Sequence, residues 1–359
     1  MFDRKDYIDR IFSIKNCDGF RDLALQAFDY QREHCRVYSE YLGLVGKKNI
    51  CPQSLEDIPF LPISLFKNRD ILSLTSDMSC EDISLVFTSS ATTGMVPSRH
   101  MVWEPEVYER SFREGFRRVY GEPGTYNLLA LLPSYLERKG SSLVYMADRL
   151  INDTKQNGAE GGFFLYNHDE LLSELRRIEG RKTILLGVSF ALLDFAKFVA
   201  EQNPDPEERK TLFSDVTVIE TGGMKGRGEE LSRDELHRRL KEGFVSARID
   251  SEYGMCELLS QAYSVGNLSE GLFFTPVWMR VLARDLQDPF RILPERKDSF
   301  VQGGLNIIDL ANINSCCFIE TEDMGQIFVA DEKRSVHPPF TVDGRIQNSE
   351  LRGCNMLID

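Results

Sequence analysis

The chain predicts an α/β fold built on a largely parallel sheet, with a smaller β-rich part toward its C-terminal end. Two observations carry that expectation. Between Leu85 and Phe244, short apolar runs bounded by Gly, Ser or Thr alternate with longer stretches at helical spacing, the pattern of strands joined by crossover helices. After Gly271 the helical spacing gives way to strands and turns in GLFFTPVWMRVLARDL, GGLNIIDL and GQIFVADE.

Phe20–Leu44 carries apolar residues at helical spacing and reads as a helix. Pro52, Pro59 and Pro62 follow it, so SLEDIPFLPISLFKNRDIL reads as an extended segment wrapped on the core. ISLVFTSS is then a strand, Glu104–Tyr120 a helix, YNLLALLPS a strand and Ser141–Leu150 the start of a helix. KTILLGVS leads as a strand into the helix FALLDFAKFVAEQ. DVTVIETGG is a further strand, and LSRDELHRRLKEGF a helix opened by the Ser232-x-x-Glu235 capping box. The chain divides into a core over 1–343, whose β-rich subdomain begins near 271, and a short stub and tail over 344–359.

At 359 residues and 42% hydrophobic, the chain can bury one large core or two modest ones. Its 56 acidic against 43 basic residues, a net charge of −13, argue against a protein that coats nucleic acid. A small ligand cleft can still be locally positive. No apolar run approaches the roughly 18 residues of a membrane span, and the N-terminus is charged throughout, unlike a signal peptide. Eight cysteines without a C-x-x-C pair fit free thiols in a reducing compartment. These features point to a soluble, cytoplasmic protein.

The stretch LVFTSSATTGMVPSRH places Thr88, Ser89, Ser90, Ala91, Thr92, Thr93 and Gly94 directly after a strand. Small residues let successive backbone N–H groups aim at one point, and hydroxyls add donors, which makes an anion cradle without net charge. It is not a G-x-x-x-x-G-K-[ST] loop, since no Lys–Ser/Thr closes it. Arg99 and His100 lie just beyond and could face a phosphate. Alone, the stretch reads equally well as a Ser/Thr-rich connection.

Four more stretches follow in an order that changes this balance: IETGGMKG (219–226), SEYGMCELLSQ (251–261), IETEDMGQI (319–327) and DGRIQNSELRG (343–353). With the first loop they resemble the ordered motifs of the adenylate-forming enzymes, the acyl-CoA synthetase and luciferase superfamily. Ala91 stands where that family usually has glycine, Ser98-Arg99 where a Pro-Lys pair ends the loop, and Cys256 in a threonine position. IPFLPISLFK, SSATTGMVPSRH, LLPSYLERKGSSLVYM, ETGGMKGR, SEYGMCELLSQAYS and RGCNML are most similar to the acyl-protein synthetases (LuxE type) of bacterial fatty-acid reductase. The likeness runs from about Ile58 to the C-terminus.

That resemblance implies the large N-terminal domain of the adenylate-forming fold, without the small C-terminal domain that typical relatives carry. It implies ATP and Mg²⁺ as cofactors. Thr88, Ser89, Ser90, Thr92, Thr93, Gly94 and Arg99 would hold phosphates. Glu220, Gly222 and Gly223 would border the adenine, with Tyr253 as its flat face and Gly254 allowing close approach. Asp323 would accept the ribose hydroxyls, Arg345 would reach the ribose or α-phosphate, and Glu257 would bind the metal. His100 reads either as a neighbour of the acyl site or as an exposed histidine at a helix start. Cys354 matches the cysteine that carries an acyl thioester in that family, and also reads as a buried cysteine in a terminal strand; Cys316 and Cys317 read as core.

The expected function is ATP-dependent activation of a carboxylic acid, foremost a fatty acid, as its acyl-adenylate, followed by acyl transfer to a thiol. The thiol is that of Cys354 or of a partner, and an acyl reductase or acyl-carrier protein is the implied partner. Two alternatives remain at this stage: a ligase delivering the acyl group to coenzyme A or a carrier protein, and a nucleotide-binding subunit without turnover.

Overall fold

The structure is a computed structural model that describes residues 2–75, 83–89, 96–132, 140–165, 167–222, 231–266, 271–295, 297–329 and 336–346. Helices α1 (Arg4–Ile11), α2 (Cys17–His34) and α3 (Arg36–Leu44) open the chain, each with an apolar face turned to the core. The single helix expected over Phe20–Leu44 is therefore two. Buried Cys35 adopts an extended conformation (φ −95°, ψ 98°) and bridges to Ser73, while Leu74 N donates to the His34 carbonyl. A passing strand takes the backbone groups that a continuous helix would have used, so tertiary pairing overrides the helical spacing.

The proline-rich segment lies against the core as expected, with Ile58, Phe60, Leu61 and Phe66 buried, but it is not extended throughout. Short 3₁₀ turns at Leu55–Asp57 and Ile63–Lys67 flank β1 (Leu61–Pro62). Next comes a hairpin-like ladder, β2 (Leu85–Thr88) against β3 (Arg99–Val102), antiparallel, with Thr88 opposite Arg99. The Ser/Thr-rich stretch thus departs from a two-stranded ladder of its own, not from the parallel sheet where alternation of strands and helices had placed it.

The central unit begins at α4 (Pro105–Tyr120) and β4 (Asn127–Leu131). It continues through α5 (Ser142–Gln156), β5 (Gly161–Phe163), α6 (His168–Arg177), β6 (Thr183–Val188), α7 (Ser189–Gln202), α8 (Pro206–Leu212), β7 (Val216–Thr221), α9 (Arg233–Gly243), β8 (Arg248–Tyr253) and β9 (Ala262–Ser264). The sheet order is β5-β4-β6-β7-β8-β9, parallel except for the last pair. β4 and β6 are buried along their whole length, as strands covered on both faces must be. Ser232 caps α9 by accepting from Glu235 N, as the capping box predicts. Helices α7 and α9 approach closely because Gly243 has no side chain; a Cβ there would lie 2.5 Å from the Ala196 carbonyl.

The C-terminal part is an antiparallel sheet of β10 (Met279–Arg284), β11 (Ser299–Asp309) and β12 (Phe318–Val329), with β13 (Gly344–Arg345) on β12. β1 joins its other edge in parallel, Leu61 opposite Ile319. A 3₁₀ corner, Leu310–Asn314, links β11 to β12 and packs on α1, α2 and α4. Cys316 and Cys317 are fully buried. The expected α/β class with a parallel sheet and a smaller β-rich sheet is what the chain adopts. Among the described residues no helix is long and apolar enough to cross a membrane.

Candidate functional site

Open parallel sheets bind ligands beyond the carboxyl ends of their strands, and two of the singled-out stretches end there. In adjacent strands β7 and β8, Glu220 pairs with Ser251 and Thr221 with Glu252. Glu220 is buried; it accepts from the Ser189 hydroxyl (3.1 Å) and lies 3.6 Å from His237 Nε2, which is 3.1 Å from Ser251 Oγ. Burial pushes the Glu220 carboxyl up, but His237, Ser251 and Arg233 outweigh it and leave the group below its usual range. The Thr221 hydroxyl donates to Glu252. Gly222 then turns the chain at φ +76°, where an L side chain would be strained. Gly223 lies outside the described residues.

At the end of β8 the two sheets meet. The Tyr253 hydroxyl donates to Asp323 Oδ2 at 2.7 Å, joining β8 of the parallel sheet to β12 of the antiparallel one. Opposite Asp323 in the ladder stands exposed Arg345. Burial raises the Asp323 carboxyl against the Tyr253 hydrogen bond and the Arg345 charge, with Glu322 and Glu257 adding to the rise. Burial, then the neighbouring Asp323, pushes the Tyr253 hydroxyl well above its ordinary value. Phe273 and Phe340 complete an aromatic wall, their centroids 5.9 and 5.4 Å from that of Tyr253. Arg233 lies over Phe273 at 4.2 Å and donates to the Gly271 carbonyl at 2.7 Å. Residues separated by about a hundred positions in the chain, namely Tyr253, Glu257, Asp323 and Arg345, thus share one electrostatic neighbourhood.

The turn from β8 to β9 begins at Gly254 and carries Glu257, which is buried and accepts from the Cys256 thiol at 3.2 Å. Burial, reinforced by Glu257, pushes the Cys256 thiol up, so it is a neutral S–H and a poor nucleophile as placed. His100 bonds the Cys256 carbonyl through Nδ1 (2.8 Å) and the Ser315 hydroxyl through Nε2 (3.0 Å). A carbonyl only accepts, so Nδ1 carries the proton and Nε2 receives the serine hydroxyl. Burial drives the His100 pKa down to about 4 against that carbonyl bond.

His100 is therefore in a strand and buried, not at an exposed helix start, because β3 turns it inward between Phe66 and the turn after β8. Its two nitrogens are both engaged, and it serves as a strut. Arg99, next in the strand, faces outward and lies 3.6 Å from Asp70, both half-exposed. Thr88 N donates to the Gly140 carbonyl (2.7 Å) and Ser89 Oγ accepts from Ser98 N (2.9 Å), so both ends of the Ser/Thr-rich stretch are anchored. Ser90, Ala91, Thr92, Thr93, Gly94 and Cys354 lie outside the described residues.

Among the described residues no group of three or more His, Cys, Asp or Glu side chains could hold a metal ion. Glu257 alone fits Mg²⁺ only as one carboxylate beside nucleotide phosphates, which is how that ion is commonly held. Motif reading missed Arg233 and the buried pair Asp309 and Asn312. The last two had one sequence signal: polar residues set in the otherwise apolar run LNIIDLANIN.

No family model matches the chain. It is 23% identical over 350 residues to the long-chain-fatty-acid–luciferin-component ligase of Vibrio harveyi, covering 92% of this chain and 85% of that protein. The likeness to the acyl-protein synthetases is borne out. Solved structures similar to this chain include the amide bond synthetase McbA of Marinactinospora thermotolerans, at 16% identity and a TM-score of 0.45 over 76% of this chain and 51% of that one. VinN, at 13% identity, has a TM-score of 0.47 over 71% and 61%. The chain spans about half the length of McbA.

Proposed function

We propose that this chain is an ATP-dependent acid–thiol ligase acting on a carboxylic acid, with a fatty acid as the leading class. The observation that carries the reading is the meeting of Tyr253, Glu257, Asp323 and Arg345 at the carboxyl end of the parallel sheet, in a chain similar over nearly its whole length to a fatty-acid ligase.

In the first step a carboxylate oxygen attacks the α-phosphorus of ATP, and pyrophosphate leaves with the electrons of the broken P–O bond. Alignment and charge neutralisation lower that barrier more than any protein base does. Tyr253, backed by the buried rings of Phe273 and Phe340, is the apolar face we assign to the purine. Asp323 is set to accept ribose hydroxyls once they displace the Tyr253 hydroxyl. Arg345, opposite Asp323, would supply positive charge there, and the resemblance assigns Arg99 and the donors of Thr88–Gly94 to the outer phosphates. Mg²⁺, held by Glu257 and phosphate oxygens, would offset the charge on the departing pyrophosphate. His100 keeps the turn in place and takes no proton from substrate.

In the second step a thiolate attacks the acyl carbonyl: a C–S bond forms, the acyl C–O bond to phosphate breaks, AMP departs, and the thiol proton goes to solvent. Among the described cysteines Cys35, Cys256, Cys316 and Cys317 are buried and so are poor acceptors, while Cys17 and Cys51 are exposed; the likeness to the acyl-protein synthetases favours Cys354 or a partner's thiol over those two. An acyl reductase or acyl-carrier protein is the partner this chemistry calls for.

Pyrophosphate exchange into ATP across a panel of carboxylic acids tests the first step; the absence of acid-dependent exchange with every member overturns it. Intact mass after incubation with ATP and acid tests the second. An adduct lost in Cys354→Ser supports self-acylation, whereas an unmodified chain with acyl-coenzyme A as product, when coenzyme A is supplied, replaces it with the ligase reading.

A further inference from the structure

The turn Gly254–Gln261 is short, and only Ser260 among its side chains bonds the groups that hold it. Its backbone is instead gripped from the far sheet. Leu259 N donates to both Asp309 Oδ2 (2.9 Å) and Asn312 Oδ1 (3.1 Å). Asn312 Nδ2 donates to the Glu257 carbonyl at 2.8 Å and to the Cys316 carbonyl at 3.2 Å. Asp309 Oδ1 accepts from the Ser260 hydroxyl (2.6 Å) and from Ala311 N (3.1 Å). Ser260 in turn receives Trp278 Nε1 (3.0 Å) and lies 3.1 Å from the Ser111 hydroxyl. Asp309 and Asn312 are fully buried. A fully buried carboxylate with three donors and, among the described residues, no cation paired with it is costly to bury, so the contacts it makes call for a reason.

The backbone atoms that Asp309 and Asn312 fix are the Glu257 carbonyl, held by Asn312, and the Leu259 amide, held by both. We propose that Asp309 and Asn312 are positioning residues that set the Glu257 carboxylate at the mouth of the site by locking the backbone of residues 257–260. The inference rests on the ligase reading for what Glu257 does, but not for how the turn is held. Asp309→Asn keeps the shape and replaces one acceptor oxygen by an NH₂ group that repels the backbone amide it faces, Leu259 N or Ala311 N. Asn312→Ala removes the contact to the Glu257 carbonyl outright. Ser260→Ala is a milder change that keeps both backbone donors to Asp309.

The test has two arms, both on the full chain. In the first, amide hydrogen exchange is followed without ligand: residues 255–261 exchange about tenfold faster or more in Asp309→Asn and Asn312→Ala, while β6 and β7 keep their protection. Should Asp309→Asn not fold, Asn312→Ala and Ser260→Ala decide, with the smaller increase expected in Ser260→Ala. In the second, Mg²⁺·ATP binding is measured calorimetrically. Asp309→Asn weakens it about tenfold in the native background but less than about twofold when Glu257 is already Gln, because the two changes act through one group. Unchanged exchange over 255–261 overturns the positioning role, and so does an equal loss of ATP affinity in both backgrounds. If the native chain binds no Mg²⁺·ATP, the ligase reading falls and the exchange arm alone decides whether the pair holds the turn.

Discussion

The two flanks of the β8–β9 turn are built in opposite ways. On the inner flank, His100 engages both ring nitrogens, Asn312 both side-chain atoms and Asp309 both oxygens. On the outer flank, Tyr253, Asp323 and Arg345 are joined by a single 2.7 Å hydrogen bond and one cross-strand pairing. Saturated polar groups in a dry interior fix geometry. Partly satisfied groups at an opening are the ones left to meet a ligand. Residues around one turn thus separate into saturated holders and partly satisfied groups, which we propose as the binders.

The sharpest way to test that division is at Glu257, which belongs to the turn yet points its carboxylate toward the binders. Glu257→Ala is expected to cut acid-dependent pyrophosphate exchange by about 10²–10³-fold while the far-ultraviolet circular dichroism stays native. His100→Ala, on the holding flank, leaves the Cys256 carbonyl and Ser315 hydroxyl unsatisfied and opens a cavity; denaturant titration should show a loss of about 3 kcal/mol. If instead it leaves stability intact and abolishes exchange, His100 changes sides and the division fails.

The holders also predict opposing responses to pH. Burial pushes the Asp309 carboxyl up to about 6, against the hydrogen bonds from Ser260, Ala311 and Leu259. A carboxyl that binds its proton more tightly when folded stabilises most while protonated, so its contribution falls as pH rises from about 3.9 toward 6. His100, at about 4, does the reverse: the unfolded chain takes up the proton first, so stability falls as pH drops from about 6.5 toward 4. Each effect spans about 3 kcal/mol. Urea titrations at pH 4.5 and 7 should show the gap between native and Asp309→Asn narrowing with rising pH, and the gap to His100→Asn widening. Parallel profiles would remove charge avoidance as the common feature of the holding flank.

The smallest effect belongs to the binders. Tyr253→Phe removes one hydrogen bond to Asp323 and should cost about 1 kcal/mol of stability or less. Its ring remains for a purine, so Mg²⁺·ATP affinity measured by calorimetry should change only a few-fold. A loss as large as that of Glu257→Ala would mean that the phenol, not the ring, is what the ligand uses.

Much of this was legible beforehand. The strand–helix alternation from β4 to β8 could be read because buried parallel strands are nearly pure apolar runs and their helices carry one apolar stripe. That Tyr253, Asp323 and Arg345 would come together could be read because short motifs in fixed order constrain one another. Other features had no local signal. The break at Cys35 depends on Ser73 lying alongside it, and the isolation of β2 from the parallel sheet depends on which strand it pairs with. His100 looked accessible beside Arg99 because adjacent strand residues face opposite sides, and sequence alone does not say which side is covered. Asp309 and Asn312 act through backbone atoms of a segment some fifty positions away, a relation that composition and spacing do not encode.

Because the grip on the β8–β9 turn falls on the Cys256 and Glu257 carbonyls and the Leu259 amide, it is nearly blind to which side chains occupy those positions. Variation by substitution is therefore cheap there, as the cysteine at position 256 already illustrates, whereas adding or deleting one residue would slip every anchored atom past its mate. Homologues should accordingly vary at positions such as 256 and 259 but agree in count between Gly254 and Gln261.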